Sequence, residues 1–217
     1  MAKFSDLTPE QQELINNSSF QHYFTWSSVE KESASTPVRI VVDPSRTGFN
    51  LILAKGENNM VKIFDVLVRN RCRTHVFSTD ITKLYNQLYL NDSALPFSLF
   101  LYSDDLDPDS EPITWVLTRA WYGVRPTGNQ SGQALDSLAE MCGPEFPLGK
   151  SALLSDRYVD DIFSGAQTEV ERDNQVSQVQ SILSKGGFSL KYVAKSGEAP
   201  PEAASGGEDH LKILGYK

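Results

Sequence analysis

The chain has 217 residues, 40% hydrophobic, 22% charged and 10% aromatic, which suits one sizeable core or two small subdomains and excludes disorder and collagen-like repetition. No run approaches the roughly 18 to 20 apolar residues of a membrane span, and the opening MAKFSDLTPEQQEL lacks the apolar stretch of a secretory signal, so a soluble intracellular protein is expected. The net charge of −8 argues against a sequence-independent DNA coat, which relies on a basic surface.

In chain order, Thr8-Pro9-Glu10-Gln11 combines an N-cap, a proline at the first helical position and a capping-box partner, which opens a helix near residue 9. Val38 to Val42 is a β-rich run closed by Asp43-Pro44-Ser45, a strand into a turn. Between Arg39 and Arg73 the charge is mostly Arg and Lys. Met60, Ile63, Phe64, Leu67 and Val68 recur at helical spacing, and that stripe is expected in the core. Cys72 and Cys142 are too few for a disulfide framework and, with three dispersed histidines, give no zinc spacing; buried thiols are expected.

Leu95 to Tyr102 and Ile113 to Arg119 are β-prone and flank SDDLDPDSEP at 103–112, so a hairpin with a solvated acidic tip is expected. Residues 130–142 place Ala134, Leu135, Leu138, Ala139 and Cys142 on one helical stripe. Thr168 to Glu171 reads as a capping box leading a helix with Val176, Val179, Ile182 and Leu183 on one face, stopped by Gly186-Gly187. Two strand candidates close the chain, Phe188–Ala194 and His210–Tyr216, separated by the loop-forming SGEAPPEAASGGED. No internal repeat or clean linker divides the chain.

Two apolar segments end in acids. Asp80 closes the β-prone run of VFSTDITKLY, and Asp160 and Asp161 interrupt the apolar pattern of RYVDDIFSG. Adjacent aspartates there repel each other and lose hydration unless a turn exposes them or a cation lies between them. A tight hairpin with both acids at its tip meets both conditions. With the Asp80 strand beside it, three carboxylates would converge, a donor set suited to Mg²⁺ or Mn²⁺. Two such ions can clamp the attacking and leaving oxygens of an in-line phosphoryl transfer. Without further context, an aspartate pair is more often an exposed turn.

Tyr158-Val159-Asp160-Asp161 resembles the YxDD box of reverse transcriptases, and companion motifs stand in the family's order along nearly the whole chain. STPVRIVVDPS and the basic segment resemble a fingers strand; YGVRPTGNQS, GGFSLKY and LGYK follow the Asp80 motif. Their wording is most similar to the Pao/BEL group of LTR retrotransposons. The resemblance implies an α+β right-hand polymerase. Residues 1–74 and 88–130 would form the fingers and 75–87 and 131–217 the palm, an antiparallel, ferredoxin-like sheet backed by helices. It implies an RNA-directed DNA polymerase adding dNTPs to a primer on an RNA or DNA template, with two Mg²⁺ or Mn²⁺ ions.

By the same resemblance Asp80, Asp160 and Asp161 are the catalytic, metal-binding acids, with the Ile81 carbonyl as a backbone ligand. Tyr85 takes the place of the aromatic gate that excludes a 2′-hydroxyl, although its position in ITKLY also suits a core tyrosine. Arg39 would contact the triphosphate, for which a guanidinium is well shaped. Tyr158 and Gly123 would border the incoming nucleotide, and Arg46 and Lys55 are weaker candidates for phosphate or template. A proline expected after Gly123 is replaced by Gly128-Asn129-Gln130, so Gln130 takes no base-contacting role. Lys191 and Lys195 both lie near the lysine that donates a proton to pyrophosphate, and the register leaves the choice open. Leu214, Gly215 and Tyr216 resemble the primer grip.

The sequence stops at Lys217 after that motif, so the resemblance implies a core whose thumb, connection and RNase H parts are missing. A continuation, a partner chain or a homo-oligomer could supply them, and binding of primer-template by this chain alone is expected to be weak, with a shallow salt slope. No membrane partner is expected; the expected location is cytoplasmic, with particle association and the nucleus left open. The alternative is a truncated or domesticated relative that binds nucleic acid or a protein without turnover. A viral RNA-dependent RNA polymerase would carry GDD and a small residue in place of Tyr85.

Overall fold

The computed structural model describes residues 1–30, 38–57, 60–103 and 110–202. Strand β1 (Ala2–Lys3) leads to helix α1 (Pro9–Asn16), started by the expected capping box: Thr8 Oγ1 accepts from Gln11 N, and Gln11 Oε1 accepts from Thr8 N. Strands β2 (Thr25–Glu30) and β3 (Val38–Asp43) form an antiparallel ribbon with Val29 opposite Arg39. Asp43 Oδ1 ends it by accepting from Ser45 N and Arg46 N, both at 3.0 Å. Then come α2 (Phe49–Ile52), α3 (Ile63–Arg71), β4 (His75–Ile81), α4 (Leu84–Gln87), β5 (Leu99–Tyr102) and β6 (Ile113–Val116). The chain continues through α5 (Thr127–Cys142), α6 (Pro147–Ser155), β7 (Arg157–Tyr158), β8 (Asp161–Ala166), α7 (Glu169–Lys185) and β9 (Leu190–Lys195).

This is an α+β chain with antiparallel sheets, in two compact units: Met1–Gly56 with Tyr85–Thr127, and Glu57–Leu84 with Gly128–Lys217. The first holds the β2–β3 ribbon and a sheet in the order β1-β6-β5. Leu7, Ile15, Leu95, Leu99 and Val116 form one apolar cluster there, and Phe24, Val42, Phe49, Phe100 and Leu117 another. The expected hairpin is β5–β6, but it starts later than expected: Asp92–Phe97 is a 3-10 segment capped by Asn91. Pro96 inside it has no N–H for a sheet ladder.

The second unit has the sheet order β7-β8-β4-β9, every neighbour antiparallel. From β4 on, the elements of this unit run β4, α5, α6, β7, β8, α7 and β9, with Tyr85–Thr127 of the first unit inserted between β4 and α5. Leu135, Leu138 and Ala139 of α5 are buried, as are Val176, Val179, Ile182 and Leu183 of α7, on the faces their spacing indicated. Helix α6 has no cap of its own, and Gln178 Oε1 on α7 accepts from Leu148 N (2.8 Å) and Gly149 N (3.1 Å). A Cβ at Gly149 would lie 2.7 Å from the Gln178 carbonyl carbon, so this close approach of the two helices requires glycine.

Two sequence expectations are corrected here. The α3 stripe is not core: Phe64 is 69% exposed, Met60 and Val68 are also exposed, and Val66 and Asn70 are the buried positions. Polar groups fasten this helix. Asn70 Nδ2 donates to the Val66 carbonyl (2.9 Å) and to the Phe163 carbonyl on β8, while Arg69 and Arg73 pair with buried Asp156 at 3.1 and 2.7 Å. These bonds hold α3 to β8 and to Asp156, within the compact unit that begins at Glu57. The thiols are not both buried either, because Cys72 is exposed at the end of α3 and Cys142 is half-buried.

Candidate active site

Strand β4 places Asp80 one residue before its end, opposite Asp161 at the start of β8. Strands β7 and β8 form a tight hairpin, but only one of the two acids is in its turn: Tyr158 pairs with Asp161, which begins β8, so Val159 and Asp160 are the turn. Val159 has φ +58°, the left-handed conformation that a two-residue hairpin demands and a β-branched side chain resists. Ile81 N donates to the Asp160 carbonyl at 2.9 Å, tying the end of β4 to the turn. Three aspartates thus share one end of the sheet.

On the other side of β4 the ladder is irregular. Thr79 faces Val193 and Ile81 faces Leu190, so Lys191 and Tyr192 together oppose Asp80 alone. Such a bulge re-aims side chains. Lys191 Nζ stands 3.7 Å from Asp80 Oδ2, and the Tyr192 phenol lies beside Ser78. Lys195 instead pairs with Asp173 (3.1 Å) and Glu198 (3.9 Å). Of the two lysines left open by the sequence, Lys191 is the one at the carboxylates.

Burial raises the Asp80 carboxyl above its usual range, and repulsion from Asp160 adds to this against the pull of Lys191. Asp161 is pushed up to about 6, first by burial and then by Asp160 and Asp80. Burial, with the same acids, also raises the Tyr192 phenol. Negative charge here exceeds what Lys191 neutralises, and the donors are hard oxygens, a set that fits a divalent cation of the Mg²⁺ or Mn²⁺ kind. Among the described residues, no three His, Cys, Asp or Glu side chains already form a close metal cage.

A stability effect follows from the Asp161 shift. Because its folded-state value lies above the unfolded one, its contribution is fully present below about pH 4 and is lost as pH rises through about 6. Asp161→Asn should therefore stabilise the fold at pH 7 by about 1–2 kcal/mol, allowing for solvent screening, and the gain should vanish near pH 3.5. Denaturant titrations at the two pH values measure it; equal stability of the two proteins at pH 7 would contradict the cost of burying the Asp161 charge beside Asp160 and Asp80.

The other sequence candidates are placed as follows. Arg39 on β3, exposed Arg46 and Lys55, Tyr85 and Gly123 belong to the first unit, and Gln130 is exposed on α5. Tyr85 is half-buried against Tyr122, ring centroids 4.8 Å apart. Gly123 has φ +89°, its Cβ position would lie 3.4 Å from the Val42 carbonyl oxygen, and its carbonyl accepts from Asn50 Nδ2 at 2.9 Å. Tyr158 is half-buried on β7. Leu214, Gly215 and Tyr216 lie outside the described residues, as do the strand expected at 210–216 and Asp104 to Asp109 of the acidic tip.

Tyr192 and Ser78 escaped the sequence reading. Only the bulge brings the phenol to the acids, and no local pattern in SLKYV encodes it. No described helix is long and apolar enough to cross a membrane. No protein-family model matches the chain, and no curated protein matches it.

Proposed function

We propose that the chain carries the core of an RNA-directed DNA polymerase, with the second unit as palm and the first as fingers. The observation that carries this reading is the grouping of Asp80, Asp160 and Asp161 at one end of the four-stranded antiparallel sheet β7-β8-β4-β9, with Lys191 beside them. Asp80, Asp160, Asp161 and the Ile81 carbonyl would hold two Mg²⁺ or Mn²⁺ ions. Bound there, such ions polarise the phosphoryl group and offset charge on the attacking and leaving oxygens. The Lys191 ammonium is the group to give a proton to departing pyrophosphate, and Arg39 is assigned to the triphosphate by its motif. The motif order along the chain supports the same assignment.

Extension of a DNA primer on RNA and on DNA templates, with Mg²⁺ or Mn²⁺, tests the reading. Binding of primer-template without any extension would instead favour the domesticated, non-catalytic alternative. Sugar selection gives an independent check. A flat ring under the ribose leaves no room for an extra oxygen, so Tyr85→Ala should raise use of rNTPs relative to dNTPs by about tenfold or more, about 1.4 kcal/mol of lost discrimination. Tyr85→Phe should keep the discrimination. An unchanged ratio in single-nucleotide assays of Tyr85→Ala would leave the ring only its packing role against Tyr122.

A further inference from the structure

The turn that carries Asp160 is held in a conformation its own sequence disfavours. A β-branched residue in the left-handed region is strained and persists only where neighbours over-determine it. Val159 is such a residue, at φ +58°. Directly before the motif stands Arg157, only 8% exposed, and its side chain accounts for the persistence.

Arg157 Nη1 donates to the Val159 carbonyl at 3.2 Å, and Nε donates to the Leu153 carbonyl at 3.2 Å. Nη2 donates to Asp136 Oδ1 at 2.7 Å and to the Gly132 carbonyl at 3.4 Å. One planar guanidinium is therefore fixed to α5 through Gly132 and Asp136, to α6 through Leu153, and to the turn through Val159. The Val159 carbonyl belongs to the peptide that joins Val159 to Asp160. Restraining that carbonyl restrains the peptide plane from which the Asp160 side chain is directed.

We infer that Arg157, anchored by Asp136, is a positioning residue that locks the Val159–Asp160 turn and so presents Asp160 beside Asp80 and Asp161 for divalent-cation binding. This rests on the polymerase reading for its chemistry, but the clamp can be tested without turnover. Lysine is not an equivalent here, since an ammonium cannot reproduce a rigid fork that spans three elements.

The test is Mn²⁺ binding to the full chain, by electron paramagnetic resonance of free ion or by calorimetry, in wild type, Arg157→Gln, Asp136→Asn and the double variant Arg157→Gln with Val159→Gly. Arg157→Gln should weaken Mn²⁺ binding about tenfold, and Asp136→Asn should do so to a smaller extent. Glycine adopts φ > 0 without strain, so adding Val159→Gly to Arg157→Gln should recover most of the loss. A residue that only buttressed α5 and α6 would not be rescued in this way. If Arg157→Gln does not fold, Asp136→Asn alone decides: weaker binding in a folded protein supports the clamp, and unchanged binding overturns it. Folded Arg157→Gln with wild-type affinity, or a double variant no better than the single one, also overturns it. Failure of the wild type itself to bind Mn²⁺ would sink the metal reading of the three acids instead, and is thereby distinguished from failure of the clamp.

Discussion

Asp160→Asn should reduce primer extension by at least about a thousandfold while leaving the folded protein in place. The amide keeps the size of the carboxylate and loses its charge, and the bond that joins the turn to β4 is made by the Asp160 backbone carbonyl, which the substitution does not touch. A thousandfold loss corresponds to about 4 kcal/mol of transition-state stabilisation, within what one charged ligand at a phosphoryl-transfer site supplies. Single-turnover extension, with circular dichroism melts of both proteins, measures the two halves of the expectation. A variant that folds and extends within tenfold of wild type would mean that the YVDD acids are not the chemical centre.

Asp156→Ala should produce the largest loss of stability. The Asp156 side chain is 0% exposed and is shared among Arg69 Nε at 3.1 Å and Arg73 Nη1 at 2.7 Å. Ser164 Oγ also donates to Asp156 Oδ2 at 2.7 Å. Removing one partner of a buried ion pair leaves the other uncompensated, which costs about 3–5 kcal/mol. Because the Arg69 side chain is 39% exposed and can turn to water, the lower end, about 3 kcal/mol, is expected. The same bonds join α3 to β8 and to the end of α6, so the loss should appear in one cooperative transition. Urea unfolding reads it as a lower midpoint with an unchanged slope. A loss under about 1 kcal/mol would show that desolvation of the three charges nearly cancels their attraction.

What was legible in the sequence was whatever is decided within one turn of helix or one strand. The Thr8–Gln11 capping box, the apolar face of α7 and the hairpin enforced by two adjacent aspartates needed no distant partner to specify them. Placing Asp80 opposite Asp161 needed only the assumption that the two strands adjoin. Features fixed by distant contacts were not legible. The α3 stripe had helical spacing, yet Asn70, Arg69 and Arg73 turned the opposite preference into structure by reaching Phe163 and Asp156. Helix α6 offered only Pro147 at its first position as a start signal, because its cap is Gln178, thirty residues from Leu148. The choice between Lys191 and Lys195 depended on a ladder irregularity that neither residue encodes.

That irregularity separates two kinds of genetic change in β9. A substitution at Lys191 or Tyr192 alters one side chain and leaves the strand's pairing with β4 as it is. A one-residue deletion between Leu190 and Val193 would restore a regular ladder, with one residue opposite Asp80 in place of two. The stretch leading back to Phe188, which is buried, would then have to shift by one position or strain its link to α7. The segment between Leu190 and Val193 should thus tolerate amino-acid replacement far better than any change of length, and the number of residues from Gly187 to Val193 should matter more than their identity.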